Sequence, residues 1–333
     1  MGDRKAADAI QERAFHAWLA THLPAGREGL LPLGDDAAAL RAPPGGVAVL
    51  STDALVEGTH FLPDSPPERV GRAATAVTLS DLAAKGARPA AILLAVAVPV
   101  GTPSRWVSDV VRGAERIAAQ YGAHVVGGDT KPGPARTIVS AGLGWGRAGR
   151  LAPRSGARPG DVLVHTGVVG RGGIAAERLL HGVGSRQRAL AAMLDVRPRV
   201  REGLALAPLA HAMIDTSDGL ADASRLIAEA SGVRVEVHET KLPIAAGAVA
   251  LAGAGGVELL RLALYGGDYE LLAALPRARL ARAIRAVRAV GGRLTPIGAI
   301  SRGVGAWLER SGRCEPMPPA GWRPFEATRK RRR

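Results

Sequence analysis

Aspartates follow apolar, strand-like segments at several separate places in this chain. The clearest case lies in residues 214–220, where Asp215, Ser217 and Asp218 stand between an apolar segment and an amphipathic helix pattern. That helix is expected to end at residues 231–232. Two explanations fit acids at such a place: they cap the free N–H groups of the helix, or they share a divalent cation that lets several carboxylates stay ionised. This stretch alone leaves both explanations open.

Further acids repeat the pattern. Asp35 and Asp36 follow a glycine between apolar stretches, where a simple turn is the alternative explanation. Asp53 follows the strand predicted at 47–50, and Asp129 follows the strand predicted at 124–126, after two glycines. Each acid alone is explained as well by a turn or a cap. Together they indicate a site that holds several Mg²⁺ ions and phosphate groups, because hard carboxylate oxygens suit Mg²⁺.

One more acid stands on the apolar face of a predicted helix. The helix is expected to begin at a capping box with Ser65 as its N-cap and to end at Gly86, before Pro89. Val70, Ala74 and Val77 form its apolar stripe, and the next position on that stripe is Asp81. An unpaired buried carboxylate is costly, so we expect a cation or a cluster of hydrogen-bond donors opposite Asp81.

The length and composition are typical of a globular chain with two domains. The 333 residues suffice for two hydrophobic cores, and 47% of them are hydrophobic while 22% are charged. A segment rich in glycine, proline and arginine at 149–160 is the predicted boundary. It divides an N-terminal domain, residues 1–148, from a C-terminal domain, residues 149–326. A basic tail at 327–333 follows, and we expect it to be disordered.

The cysteine content and the longest apolar run bear on the cellular compartment. Cys314 is the single cysteine, which excludes an internal disulfide and a cysteine-based zinc cluster and fits a reducing compartment. The first twenty residues carry charges throughout and lack the apolar core of a signal peptide. The longest apolar run, residues 90–98, is about half the length that spans a bilayer. We therefore expect a cytoplasmic protein with no membrane partner.

The formal net charge is +14, from 44 basic and 30 acidic residues, and it favours anionic ligands. The basic tail is either a solvated chain end or a nucleic-acid-binding arm. Aromatic residues make up only 3% of the chain and do not alternate with basic ones as a single-strand binding surface requires, so we expect no nucleic-acid partner. The glycine-rich residues 167–173 are a candidate phosphate cradle before a predicted helix. The chain contains no P-loop motif.

Taken in chain order, the motifs that contain these acids resemble those of the thiamine-monophosphate kinase family, in the aminoimidazole ribonucleotide synthetase-like superfamily. The resemblance covers residues 25–326. The motifs that carry it are Gly34-Asp35-Asp36, Ser51-Thr52-Asp53, Val56-Glu57-Gly58-Thr59-His60-Phe61, Leu79-Ser80-Asp81-Leu82-Ala83-Ala84, Gly127-Gly128-Asp129-Thr130, Arg154-Ser155-Gly156-Ala157, Ile214-Asp215-Thr216-Ser217-Asp218-Gly219-Leu220, Gly266-Gly267-Asp268-Tyr269-Glu270-Leu271 and Gly321-Trp322.

The resemblance implies a two-domain α/β (α+β) fold. In that fold the sheet of the N-terminal domain pairs with the sheet of a second subunit to form a β-barrel, and a C-terminal α/β domain follows. It further implies a homodimer that uses ATP and several Mg²⁺ ions to transfer the γ-phosphate of ATP to the phosphate of thiamine monophosphate. No covalent nucleophile or general base is expected, because the acceptor oxygen is already an anion at neutral pH.

The resemblance also implies roles for individual residues of this chain. The residues that would bind metal are Asp35, Asp36, Thr52, Asp53, Asp81, Asp129, Asp215 and Asp218. The residues that would contact ATP are Tyr121, Gly128, Asp129, Arg154 and Ser217. The residues that would contact thiamine monophosphate are His60, Trp322 and, as a substitute for a missing acid, Asp268.

Three positions depart from the pattern of the family. Thr78 stands where the family has asparagine, and Lys85 stands where it has methionine. The segment 266–271 lacks one glutamate, which contacts the substrate in the family. The last departure bears on the choice of acceptor, while the positions that would bind metal keep their acids.

Two alternative functions remain open. The first is another ATP-using enzyme of the superfamily that acts on a different phosphorylated acceptor. Selenide water dikinase requires a reactive cysteine near the N-terminus and a hydrogenase-maturation enzyme requires one at the C-terminus, and Cys314 satisfies neither. The second is a diverged, non-catalytic protein that binds nucleotides or polyanions, which would explain the altered motifs and the basic tail.

Overall fold

The computed structural model describes residues 18–19, 21–23, 37–38, 40–181, 185–254 and 257–321. The predicted turn at Asp35 and Asp36, Trp322 and the basic tail lie outside these ranges. Within them, no helix is both long enough and apolar enough to cross a membrane.

Strands and helices alternate along the described chain. The strands are β1 (Gly46–Val56), β2 (Arg88–Val98), β3 (His124–Pro132), β4 (Thr137–Arg147), β5 (Asp161–Thr166), β6 (Ala212–Asp215), β7 (Arg234–His238), β8 (Leu271–Pro276), β9 (Leu294–Ser301), β10 (Gly305–Arg310) and β11 (Arg313–Pro316). The α-helices are α1 (Pro67–Lys85), α2 (Ser104–Ala119), α3 (Arg171–His181), α4 (Arg186–Met193), α5 (Val200–Leu206), α6 (Leu220–Ser231), α7 (Ala246–Gly253), α8 (Leu259–Leu264) and α9 (Leu280–Ala289).

The first four strands form a sheet in the order β1-β4-β2-β3. Strand β4 is antiparallel to β1 and β2, while β2 and β3 are parallel. Helices α1 and α2 pack on one face of this sheet. They approach each other so closely that a Cβ atom on Gly71 would lie 1.8 Å from the carbonyl oxygen of Val110. The opposite face exposes large apolar side chains, with Leu50 75% and Leu93 45% exposed.

The remaining strands form a seven-stranded sheet in the order β11-β10-β7-β9-β5-β8-β6. Only the pair β10 and β7 is parallel among the neighbours of this sheet. Successive residues of the interior strand β5 belong to different cores: Leu163 packs on the side of α6, whereas Val162 and Val164 pack on the side of α9. Both faces are therefore covered, and the chain has the mixed α/β architecture that the sequence predicts.

Two predicted strands are too short. The strand predicted over residues 47–50 continues to Val56, so Asp53 lies inside β1 rather than after it. The strand predicted over residues 124–126 continues through its two glycines to Pro132. Both extensions have the same cause, because the added residues keep pairing with a neighbouring strand, β4 in the first case and β2 in the second.

The predicted start of α1 is also wrong. Its N-cap is Pro66, and no side chain caps the helix. The hydroxyl oxygen of Ser65 instead accepts a hydrogen bond from the backbone N–H of Leu62, at 3.0 Å. Ser65 therefore stabilises the turn before the helix. The end of α1 is as predicted, because Gly86 terminates the helix in the left-handed conformation at φ 70°.

Candidate active site between the two sheets

A cavity of about 260 Å³ lies between the two sheets. One side is formed by β1 and α1, and the other by the residues that follow β6 and those that precede β8. Four carboxylates line its acidic part, Asp53, Asp81, Asp215 and Asp218. The structure thus brings together acids that are far apart in sequence: Asp53 is on β1, Asp81 is on α1, and Asp215 and Asp218 lie at and just after the end of β6.

Hydrogen bonds from serines fix two of these carboxylates. The Ser80 hydroxyl donates to Oδ2 of Asp215 at 2.7 Å, and the Ser217 hydroxyl donates to Oδ1 of the same carboxylate at 3.0 Å. The Ser51 hydroxyl donates to Oδ2 of Asp81. Because Ser80 lies on α1 and Asp215 ends β6, the first of these bonds joins the two halves of the cavity.

The acids near α6 do not cap that helix. Its N-cap is Gly219, at φ 108°, and no side chain makes a capping hydrogen bond there. Both Asp215 and Asp218 line the cavity instead. Of the two explanations that the sequence leaves open for this stretch, the structure excludes capping.

The crowded carboxylates disfavour one another's ionisation. Burial is the largest cause that raises the pKa of Asp53 to about 7, and the charges of Asp81 and Asp215 add to it. Burial and Asp81 raise the pKa of Asp215 to about 6, against the hydrogen bonds from its two serines. Burial also raises the pKa of Asp218, while the positive charge of Arg154 opposes that rise.

The cluster has the donor chemistry of a divalent-cation site. One oxygen of Asp53, Oδ2, is buried without a hydrogen-bond partner, and a bound cation would satisfy it. Carboxylate oxygens are the ligands that Mg²⁺ prefers. In the described ranges, however, no three His, Cys, Asp or Glu side chains are arranged around one point so as to enclose an ion. Asp35 and Asp36 lie outside those ranges.

Two residues predicted to bind metal lie away from this cluster. Thr52 faces the open side of the sheet, and its hydroxyl donates to the Ser140 carbonyl at 3.2 Å. Asp129 is exposed on β3, where Lys131 contacts it at 3.1 Å. Strands β1 and β3 are opposite edges of a four-stranded sheet, so about 14 Å separates Asp129 from Asp53.

The residues predicted to contact ATP are spread over several places. Ser217 lines the cavity, and Arg154 is exposed near Asp218. Gly128 is exposed on β3, where a Cβ atom would lie 1.9 Å from the Leu94 carbonyl oxygen. The Tyr121 hydroxyl lies outside the cavity and donates to the carbonyl of Pro198, at 3.1 Å.

The residues predicted to contact thiamine monophosphate differ in position. His60 lines the cavity, its Nδ1 accepts a hydrogen bond from the Val56 N–H at 3.0 Å, and burial lowers its pKa. Asp268 is buried outside the cavity and accepts from the N–H groups of Gly170, at 2.7 Å, and Gly172, at 2.9 Å. These two N–H groups belong to the predicted phosphate cradle, so a carboxylate of the chain itself already engages them.

Some residues at the site were not predicted from the sequence. Ser51 and Ser80 hold carboxylates, and the alternation of a strand was a usable signal for Ser51, which shares a face with Asp53. Tyr269 lines the cavity from the shortened 266–271 segment, with a backbone φ of 53° that non-glycine residues seldom adopt. Its ring packs against the core of the first sheet, although its backbone leads into the second.

The fold and the acidic cavity define a two-domain protein of the AIR synthase type, and comparison with family models agrees. Residues 34–148 match the family described as AIR synthase related protein, N-terminal domain. Residues 158–306 match the family described as AIR synthase related protein, C-terminal domain.

Individual relatives narrow this class. The thiamine-monophosphate kinase of Synechococcus elongatus is 37% identical over 273 residues, which cover 75% of this chain and 82% of that protein. The crystal structure of thiamine-monophosphate kinase from Stenotrophomonas maltophilia superposes with a TM-score of 0.78 at 30% identity, over 90% of this chain and 97% of that one. AaThiL complexed with AMPPCP and TMP superposes with a TM-score of 0.74 at 29% identity, over 84% of this chain and 87% of that one. The chain belongs to the thiamine-monophosphate kinase family.

Proposed function

We propose that this protein transfers the γ-phosphate of ATP to the phosphate of thiamine monophosphate and so forms thiamine diphosphate. The observation that carries this proposal is the convergence of Asp53, Asp81, Asp215 and Asp218 on one cavity between the two sheets. The relatives named thiamine-monophosphate kinase and the AaThiL complex with AMPPCP and TMP support the choice of substrates.

The arrangement of carboxylates suits this reaction because both reacting groups are anionic phosphates. Positive charge is needed to bring two anionic phosphates together. We propose that bound Mg²⁺ ions supply it. Asp53, Asp81 and Asp215 would hold these ions, and the serine hydrogen bonds keep Asp81 and Asp215 in fixed positions. The acceptor oxygen is already an anion, so the chain needs to supply no general base.

The apolar part of the same cavity offers a place for the thiamine rings. Leu55, Val77, Leu194 and Val196 line it beside the acidic part. His60 lies at the same cavity and is positioned by its hydrogen bond from Val56. We propose that the heterocycles lie against the apolar wall, which leaves the phosphate of the acceptor directed towards the carboxylates.

We also propose a homodimer formed through the open face of the first sheet. Leu50 and Leu93 are exposed on that face, and a second copy packed sheet to sheet would bury them. A second copy on this face would also lie beside Asp129, which is exposed on β3 across the sheet from Asp53 of its own chain. A cytoplasmic location without a nucleic-acid partner completes the proposal, supported by the single cysteine and the low aromatic content.

A product assay tests the proposed reaction. Purified protein, ATP and Mg²⁺ are incubated with thiamine monophosphate or, in parallel, with unphosphorylated thiamine, and the products are separated by chromatography. We expect thiamine diphosphate from the first acceptor and no phosphorylated product from the second. ATP turnover that ignores thiamine monophosphate would reject the proposed acceptor.

A further inference from the structure

Lys85, the last residue of α1, makes contacts that its position at a helix end does not require. Its ammonium group donates to the carbonyl of Met213 at 3.0 Å and to the carbonyl of Ala152 at 3.4 Å. The Lys85 carbonyl in turn accepts from the Ala152 N–H at 3.2 Å. The side chain therefore joins three segments: the end of α1, the connection between the sheets and the strand β6.

These contacts lie next to the elements that carry two of the cavity carboxylates. Lys85 follows Asp81 by four residues on α1, which places both side chains on the same face of the helix. Met213 precedes Asp215 by two residues on β6. Lys85 thus holds the backbones that carry Asp81 and Asp215 together, as the Ser80 hydrogen bond does between side chains.

Lys85 also places a positive charge near the elements that carry these carboxylates. Burial lowers its pKa to about 8, and Arg154 acts in the same direction, while the negative charges of Asp215 and Asp81 oppose the shift. The positive charge of the ammonium group therefore interacts with both carboxylates. Because Lys85 is half-buried, solvent screens the interaction between its charge and the carboxylates less than it would for an exposed lysine.

We propose that the charge of Lys85, which its two backbone contacts hold near the elements that carry Asp81 and Asp215, keeps the nucleotide-free cluster from binding divalent cations tightly. The inference deepens the proposed function and rests on it. A cation at the carboxylates is repelled by the ammonium group, and the phosphates of ATP supply the negative charge that outweighs this repulsion. Metal binding would therefore depend on the presence of nucleotide.

The test is the affinity of the nucleotide-free protein for Mn²⁺, measured by electron paramagnetic resonance. Lys85→Met removes the charge and keeps an apolar side chain of similar length, and Lys85→Gln is a second neutral variant in case the first does not fold. We expect both to bind Mn²⁺ about three- to tenfold more tightly than the unmodified protein. Lys85→Arg keeps the charge and should bind Mn²⁺ as the unmodified protein does.

Lys241→Met is the matched control, because Lys241 is exposed on a short turn after β7 and its loss changes the net charge equally. Its Mn²⁺ affinity should be unchanged. Thermal unfolding in EDTA checks that each variant is folded. Unchanged or weaker Mn²⁺ binding in the folded neutral variants, or no Mn²⁺ binding by any of the proteins, would overturn the proposal. Because no acceptor is present, an error in the proposed acceptor leaves this result intact.

Discussion

Asp53 shows most directly that the environment of the site disfavours the ionised form of its carboxylates. It lies in the middle of β1, faces α1 and has one buried oxygen without a hydrogen-bond partner. A carboxylate at this position does not stabilise the metal-free fold, because burial and three neighbouring carboxylates oppose its ionisation. Such a residue is typical of a functional site, where an unfavourable group is retained for the ligand that it binds.

Removal of metal should make stability fall with rising pH. The pKa of Asp53 rises from 3.8 in an unperturbed chain to about 7, and that of Asp215 rises to about 6. Between about pH 4 and pH 7 these two carboxyls therefore bind more protons in the folded protein than in the unfolded chain, so their contribution to the free energy of unfolding decreases as the pH increases. In EDTA we expect a lower thermal midpoint at pH 7.5 than at pH 5. Added Mg²⁺ should raise the midpoint more at pH 7.5.

The variant Asp53→Asn tests the residue behind this effect. It should remove part of the fall and stabilise the metal-free protein at pH 7.5 by roughly 1–2 kcal/mol. Asp109→Asn serves as the control, because Asp109 lies on α2 in ion pairs with Arg105 and Arg112. A thermal midpoint that responds neither to pH in EDTA nor to Mg²⁺ would contradict the electrostatic account.

At the residue scale, the sequence indicates which carboxylates matter but not how they are held. Asp81 stands out because it is an acid on the apolar stripe of a helix, whereas Asp53, Asp215 and Asp218 are indicated only by their shared place after apolar segments. Ser51 and Thr52 are both polar, and the sequence does not reveal which face of β1 meets α1. That choice depends on the pairing with β4, whose residues lie more than eighty positions later.

At the scale of single elements, Asp268 stabilises the start of α3. Its carboxylate accepts the N–H groups of Gly170 and Gly172, where α3 begins. Asp268→Ala leaves these buried donors without a partner and should cost about 1–3 kcal/mol of unfolding free energy. We expect the KM for thiamine monophosphate to change by less than about threefold, because Asp268 does not line the cavity.

Glu258→Ala is the matched control for Asp268, since Glu258 is the N-cap of α8 but makes no capping hydrogen bond. Chemical denaturation and steady-state kinetics are measured on both variants. Unchanged stability together with a KM raised about tenfold or more would place Asp268 at the acceptor instead.

The pairing of neighbouring strands explains why the predicted ends of β1 and β3 were wrong. Two consecutive glycines at 127–128 are typical of a turn, yet they continue β3 because β2 supplies hydrogen-bond partners along their whole length. The helices were easier to locate, since their periodicity and their terminal glycines are local signals. Gly86 and Gly232 both end helices at the predicted positions.

At the scale of the whole molecule, the exposed apolar face of the first sheet predicts that the protein is a dimer. Leu50→Glu places a charge on the face that a second copy would cover, so we expect the variant to be monomeric where the unmodified protein is dimeric. Val304→Glu is the control, because Val304 is 76% exposed, close to the 75% of Leu50, but lies on the second sheet's turn before β10. Light scattering after size exclusion gives the mass. A dimer that persists in Leu50→Glu would contradict this interface.

The order of motifs along the chain was sufficient to indicate the family, and the mixed α/β architecture follows from it. The position of the cavity was less accessible from the sequence, because it depends on how α1 of the first half packs against β6 of the second. The placement of Asp129 shows the same limit. Its motif resembles those of the clustered acids, yet the strand order puts it at the far edge of the sheet.

We propose that carboxylates from both halves of the molecule act together in phosphoryl transfer. The most direct test is the turnover number for thiamine diphosphate formation with ATP and Mg²⁺, measured for Asp53→Asn from the first half and Asp215→Asn from the second. We predict that each variant folds and loses about a thousandfold in turnover, or roughly 4 kcal/mol of transition-state stabilisation, while Asp109→Asn retains normal turnover. Near-normal turnover in either cavity variant would contradict a joint role of these carboxylates in phosphoryl transfer.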